Sequence, residues 1–275
     1  MSYLDEIFGI KDRVALITGG NGHLGSEYAE AFAKAGAKVA VFDVTEKPST
    51  KVQKLIDSGL PIISLKVDVT KKGEIAAGFE KIISKFGAPT ILVNNAGLGS
   101  RPNAPPEENG PFENYPEESW DAMLDSHLKG MFFMSQVFIK NFRAAKEKKG
   151  SIINISSTYG LVSPIQSMYE FRRRGGEEYY KPVGYSVAKS GVLNFTKWLA
   201  EYAAPLGIRV NTLAPGGVYE ANMAPEFVKE YENRTMLRRM AKTTDYNGAV
   251  LFLASEASDY MTGSLLVVDG GWTAI

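Results

Sequence analysis

Six residues near the amino terminus, Gly20, Asn21, Gly22, His23, Leu24 and Gly25, leave few folds open to this chain. They follow a short apolar run, Arg13 to Thr18, whose branched residues Val14, Leu16 and Ile17 read as a buried parallel strand. A helical pattern from Leu24 to Ala35 comes directly after. A G-x-G-x-x-G turn between strand and helix lets the backbone turn tightly and brings a pyrophosphate to the helix N-terminus. A glycine turn without a ligand is the plain alternative, so the rest of the chain must decide.

The same rhythm continues. Lys38 to Phe42 is a second apolar strand, ending on Asp43. A carboxylate there can accept hydrogen bonds from both hydroxyls of an adenosine ribose and would repel a 2′-phosphate, which favours NAD over NADP. Ile62 to Val67 predicts a third strand ending at Asp68, Lys72 to Phe86 a helix, and Thr90 to Val93 a fourth strand before Asn94, Asn95, Ala96 and Gly97. Leu98 to Pro116 reads as a surface loop, and Pro116 to Lys146 as one long helix carrying His127. Further strands are expected at Ser151 to Ser156, Ile208 to Leu213 and Leu265 to Val268. Val218 to Met240 is mixed, charged and aromatic, as a lid over a ligand would be. Alternating strands and helices predict an α/β fold, a doubly wound parallel sheet flanked by helices, with ligands beyond the carboxyl ends of the strands.

One helix of this series carries a phenol and an amine, Tyr185 and Lys189, four positions apart and so on one face. A phenol titrates near pH 10, and a cation held beside it brings it towards the working range of an acid or base. The pair is a candidate for proton transfer, although the spacing alone also arises by chance.

Composition narrows the partners. At 275 residues the chain can form one domain, 1–275, with a full-sized core. Thirty-one basic residues balance thirty-one acidic ones, which argues against nucleic acid or a charged membrane as the main partner. The absence of cysteine excludes disulfides, thiolate metal sites and a cysteine nucleophile, and two histidines make a histidine-rich metal site an unpromising reading. Neither a secretory signal nor a spanning segment is legible, so a cytoplasmic enzyme with a small-molecule substrate is expected.

In their order, several motifs resemble the short-chain dehydrogenase/reductase family from about Lys11 to Trp272. They are the turn at Thr18, Gly19 and Gly25; Asn94 to Gly97; the serine pair Ser156 and Ser157; Tyr185 with Lys189; Pro215 with Gly216; and Met261, Thr262 and Gly263 to Asp269, Gly270 and Gly271. The resemblance implies a Rossmann-type domain with a seven-stranded sheet, an NAD(P)-dependent oxidoreductase and a homotetramer or dimer. It implies that Tyr185 is the general acid/base and that Lys189 lowers the phenol's pKa and holds the nicotinamide ribose. Ser157, rather than Ser156, would bond the substrate oxygen, because Gly160 follows it at the family spacing. The dinucleotide would meet Gly19, Asn21, His23, Leu24, Gly25, Asp43, Asn95, Ala96, Gly97, Pro215 and Gly216, with Asp68 and Val69 lining the adenine pocket and Val218 at the carboxamide.

Three departures stand out. His23 takes the place of the usual middle glycine. His127 aligns with a family asparagine that holds a water chain to the lysine; a histidine there could carry protons with a pKa near ~6.5 or simply pack. The gap from Ser157 to Tyr185 is 28 residues, about twice the usual spacing, which places an insertion within Gln166 to Lys181. Its Arg172, Arg173 and Arg174 are candidates for binding a substrate carboxylate or phosphate, or for a solvated or subunit-contacting loop. Insertions in this place, followed by Pro182, Val183 and Tyr185, resemble those of family members found among bacterial genes for sugar acids and cell-surface glycans. The expected activity is hydride transfer between NAD and a secondary alcohol or ketone of a sugar, polyol or sugar acid. A reductase of 3-oxoacyl thioesters or other lipid-like ketones is a second reading, which the acidic loop from Pro102 to Glu118 disfavours. A dinucleotide sensor without turnover is a third, opposed by the presence of Ser157, Tyr185 and Lys189 together.

Overall fold

The computed structural model describes residues 2–99 and 103–274. Seven strands form one parallel sheet: β1 (Val14–Thr18), β2 (Lys38–Asp43), β3 (Ile62–Lys66), β4 (Ile91–Asn94), β5 (Gly150–Ile155), β6 (Ile208–Pro215) and β7 (Leu265–Val268). Their order is β3-β2-β1-β4-β5-β6-β7. The chain reverses direction of growth between β1 and β4, so the carboxyl ends of those two strands open the crevice where such sheets bind ligands.

Side-chain alternation assigns the two faces. Ala15 and Ile17 of β1, with Val39, Val41, Ile91 and Val93, pack under α2 (His23–Lys34), α3 (Thr50–Asp57) and a late helix, Asn247–Ala254. Val14 and Leu16, with Ala40, Phe42 and Leu92, pack under α4 (Lys72–Phe86) and the two helices that precede β5 and β6. Strands covered on both faces must be apolar at every position, which explains why β1 reads as an unbroken apolar run.

The structure departs from the sequence reading at three places. The amino-terminal residues form a short helix, α1 (Tyr3–Phe8), and α3 fills a segment without a sequence assignment. The long helix expected over Pro116 to Lys146 is instead α5 (Glu117–Leu124), a wide π turn at Asp125–Lys129, and α6 (Gly130–Ala144). A π turn inserts one extra residue without ending the helix, and apolar spacing on either side conceals it. The loop expected at Leu98 to Pro116 includes residues 100–102, which lie outside the described residues; its remainder forms two tight turns and buries Glu108, so it is not wholly a surface loop. The insertion contains a short helix, α7 (Glu170–Arg174), and the chain then enters α8 (Val183–Ala203). After β6 come α9 (Pro225–Arg234), within the expected lid, and α10 (Asn247–Ala254). Among the described residues no helix is long and apolar enough to cross a membrane.

Candidate active site

The glycine turn is fixed by the end of β4. The Asn95 side chain donates to the carbonyls of Thr18 (3.0 Å) and Gly19 (3.2 Å), while the Thr18 hydroxyl accepts from the backbone of Asn95 and Ala96, each at 3.0 Å. Gly19 sits at φ +61, and a Cβ on Gly25 would lie 2.1 Å from the Gly19 carbonyl oxygen. Helix α2 therefore starts against the turn, at Gly22, with no side chain capping it. Uncapped N–H groups beside a turn that excludes Cβ atoms suit a pyrophosphate, so the residues present fit a dinucleotide. Asp43, at the tip of β2, accepts from the Asn21 backbone N–H at 3.0 Å and from both the N–H and hydroxyl of Thr45. Asp68 is held in its own turn by Thr70, and Val69 is buried beside Gly130.

A cavity of about 480 Å³ opens beyond β4, β5 and β6. It is lined by His23, Leu24, Asn95, Gly97, Pro215, Gly216 and Val218 on one side, with Ser157, Tyr185, Lys189 and His127 at its base. A larger concavity of about 880 Å³ lies elsewhere, between Lys72, Phe132 and Trp198. Its lining, which includes Glu80, Lys140 and Tyr202, lies away from the glycine turn and the carboxyl ends of β1 and β4, so its size does not make it the place for chemistry.

At the base, the two serines differ. The Ser156 hydroxyl donates to the Lys189 carbonyl at 2.8 Å and ties β5 to α8. The Ser157 hydroxyl accepts from the Tyr159 N–H at 3.2 Å and is hydrogen-bonded to Tyr185. The Lys189 amine donates to the Ile155 carbonyl at 2.9 Å and lies 5.8 Å from the centre of the Tyr185 ring. Burial pushes Lys189 down to about 8. Burial also raises the Tyr185 phenol, with the Ser157 hydrogen bond working against it. In the protein alone, loss of water is therefore the larger influence on the phenol, and the Ser157 hydrogen bond the smaller, opposing one.

Comparisons with known proteins find relatives over nearly the whole chain. A family model described as enoyl-(acyl carrier protein) reductase matches residues 21–273. The 2-dehydro-3-deoxy-D-gluconate 5-dehydrogenase of Escherichia coli is 33% identical over 272 residues, 97% of this chain and 98% of that one. The 3-oxoacyl-(acyl-carrier-protein) reductase FabG of Thermotoga maritima is 32% identical over 269 residues, 95% and 98% of the two chains. Among solved structures, a short-chain dehydrogenase from Leptospira borgpetersenii with bound NAD+ superposes with a TM-score of 0.83 at 33% identity, covering 99% of this chain and 96% of that one. A gluconate 5-dehydrogenase from Burkholderia cenocepacia in complex with NADP and tartrate gives 0.83 at 29% identity, covering 98% of each.

This chain belongs to the short-chain dehydrogenase/reductase family. The family is one of oxidoreductases that use a nicotinamide dinucleotide, and both NAD and NADP complexes occur among this chain's structural relatives.

Where this short-chain dehydrogenase/reductase departs from the usual sequence pattern, its structure shows what each departure does. His23 leads α2 with its ring 3.7 Å from the Glu220 carboxylate, across the mouth of the cavity. His127 is carried by the π turn into the base of the site; only 2% of it is exposed. Its Nε2 lies 2.9 Å from the Leu98 carbonyl oxygen and its ring meets Tyr185 edge-on at 5.4 Å. A Cβ on Gly97 would fall 2.0 Å from that ring, so the glycine makes room for the histidine. Burial and the Lys189 charge push His127 down to about 3. Of the two readings left open for His127, these features favour packing: the ring is held neutral, donates from Nε2 to Leu98 and braces Tyr185 edge-on.

The three arginines do not line the cavity either, which corrects their candidacy as a substrate anion site. Arg172 pairs with Glu177 and covers the Tyr179 ring at 4.1 Å. Arg173 is held by Glu170 and donates to the carbonyls of Tyr179 and Gln166 at 2.7 and 2.8 Å. Arg174 is 80% exposed near Glu170. These bonds brace the insertion internally. Its Met168 and Tyr169 join Tyr231, Met240 and Trp272 in a small apolar cluster that roofs the site. Tyr231 stacks on Trp272 at 4.3 Å and Tyr169 on Phe227 at 5.5 Å. Tyr159 and Lys181 are lining residues that the sequence reading did not single out. The signal for Lys181 was its place four residues before Tyr185, the mirror of Lys189 four after.

Proposed function

We propose that this chain is an NAD-dependent dehydrogenase or reductase acting on a secondary alcohol or ketone of a sugar, polyol or sugar acid. The observation that carries the reading is the convergence of Ser157, Tyr185 and Lys189 at the base of one cavity whose far wall is the glycine turn and its neighbours. Bound NAD would supply the two-electron acceptor for the alcohol's hydride. Ser157 donates to the substrate oxygen and orients the carbinol, and Tyr185 takes its proton. A protonated Lys189 favours the phenolate and holds the nicotinamide ribose, and a second positive charge in the same dry cleft moves the phenol further in that direction. Gly19, Asn21, Leu24, Gly25, Asn95, Ala96, Gly97, Pro215, Gly216 and Val218 form the cradle, with Asp68 and Val69 towards the adenine. Asp43 supports NAD, since its carboxylate closes the tip of β2 to a 2′-phosphate. The relative that acts on 2-dehydro-3-deoxy-D-gluconate supports the substrate class.

The whole chain, 1–275, works as one catalytic unit in the cytoplasm and as a homo-oligomer, dimer or tetramer. Trp198 and Tyr202, stacked at 5.7 Å yet 64% and 51% exposed, support self-association. A second reading, reduction of a 3-oxoacyl or similar lipid-like ketone, is favoured by the aromatic and methionine roof and by the FabG relative. Fluorescence titration with NADH and NADPH, followed by absorbance assays over sugar acids, polyols and 3-oxoacyl thioesters, separates these readings. Turnover confined to the thioesters would replace the first with the second; tight NADH binding without any turnover would leave only a sensor.

A further inference from the structure

Lys181 closes the insertion, and its backbone is pinned there: Gln166 accepts from the Lys181 N–H at 2.9 Å and donates to its carbonyl at 3.3 Å. The side chain turns towards the chemistry. Its amine lies 5.1 Å from the centre of the Tyr185 ring, slightly nearer than that of Lys189. Lys181 lines the cavity that holds Ser157 and Tyr185, and also a neighbouring concavity of about 560 Å³ bounded by Glu108, Phe112 and Tyr180. It is therefore the partition between the two. Among the described residues no carboxylate comes within ion-pair distance of this amine. Burial pushes its pKa down, and only the more distant charge of Glu108 opposes that.

A lysine amine held largely out of water is costly unless an anion meets it. Arg172 and Arg173 are engaged in bracing α7, and Arg174 is 80% exposed and does not line the cavity, whereas the Lys181 amine faces the reacting groups. We propose that Lys181 binds the carboxylate of an acidic substrate, seating it so that its carbinol meets Ser157 and Tyr185. The inference rests on the sugar-acid reading above and selects the acidic members of that class over neutral polyols. Lys181 meets the substrate's charge and Tyr185 its reacting oxygen, so one small molecule bridges the two.

The test compares D-gluconate with D-glucitol, which differ in a carboxylate, by calorimetry on the NADH-loaded protein. The wild type is expected to prefer gluconate, and Lys181→Met to lower that preference at least about 30-fold. Lys181→Arg, which keeps the charge, restores most of it, and Arg174→Ala leaves it within twofold. NADH fluorescence and the melting temperature check that each variant is folded. A wild type without preference for gluconate, or a Lys181→Met protein that keeps the preference, would overturn the proposal. The readout is binding, so a protein that binds NADH yet oxidises no alcohol would refute the redox reading while the gluconate preference still decides the role of Lys181.

Discussion

The two walls of the cleft are built by opposite means. On the dinucleotide wall the backbone does the work: Gly19, Gly22 and Gly25 shape a turn that two residues, Thr18 and Asn95, pin with a few short hydrogen bonds. On the substrate wall, side chains from segments far apart in sequence meet: Tyr159 and Tyr169, then Phe227 and Tyr231, then Trp272. A backbone wall tolerates almost no variation, because each missing Cβ marks a place where something else stands. A side-chain wall can be rebuilt by inserting residues, as Gln166 to Lys181 do here, without disturbing the sheet. Cofactor binding and substrate choice are thereby separable within one cavity.

That separation can be broken experimentally. The largest effect is expected at Tyr185, where both walls meet: Tyr185→Phe should lower turnover by about 10²-fold to 10⁴-fold while NADH still binds, measured by steady-state assay and fluorescence titration. Near-normal turnover would remove Tyr185 from the chemistry. On the dinucleotide wall, Gly25→Ala must push the Gly19 carbonyl aside and should weaken NADH by about 10²-fold. The aromatic near-ultraviolet spectrum of the opposite wall should stay as it was; if it collapses, the walls are not independent. Asp43→Ala removes a charged acceptor, whose hydrogen bonds are worth about 1.5 to 3 kcal/mol, and should reduce the preference for NADH over NADPH at least about tenfold. An unchanged ratio would locate cofactor choice elsewhere.

On the substrate wall, Arg173→Ala unties the insertion from Gln166 and Tyr179. It should raise the KM for the alcohol roughly threefold to tenfold with NADH affinity unchanged, since the loss is of order 1 kcal/mol in shaping the roof. A separate test, on stability instead of catalysis, concerns His127, beneath both walls. Its folded pKa is pushed to about 3, below the ordinary value, so the unfolded chain binds a proton first as pH falls. Stability from this group is therefore complete above about pH 6.5 and is lost towards pH 3, by up to about 1.4 kcal/mol per pH unit. Denaturant unfolding of His127→Asn between pH 4 and 7 should show a flatter acid limb than the wild type.

The dinucleotide wall was legible in the chain because its determinants are local. Glycines at fixed spacing after an apolar run, and Asp43 at the next strand's end, say where a turn and a carboxylate must fall before any packing is known. Tyr185 and Lys189 were legible for the same reason, four residues apart on one helix. The substrate wall was read less well. Arg172 to Arg174 drew attention by charge alone, and nothing in their order shows that Glu170, Glu177 and two backbone carbonyls already occupy them. Lys181 passed unmarked because its worth depends on the carboxylates that do not reach it.

The sequence by itself determined the parallel sheet, the crevice at its carboxyl edge and the shared helical face of Tyr185 and Lys189, because strand, turn and helix periodicities are properties of neighbours along the chain. Only the tertiary structure decided the protonation of that site and what its second wall presents. Burial raised the Tyr185 phenol, kept His127 neutral within a π turn and left the Lys181 amine facing the cavity. Each of these is set by water excluded and charges met in three dimensions, to which Leu98 after β4, Ser157 after β5, the insertion and α8 all contribute.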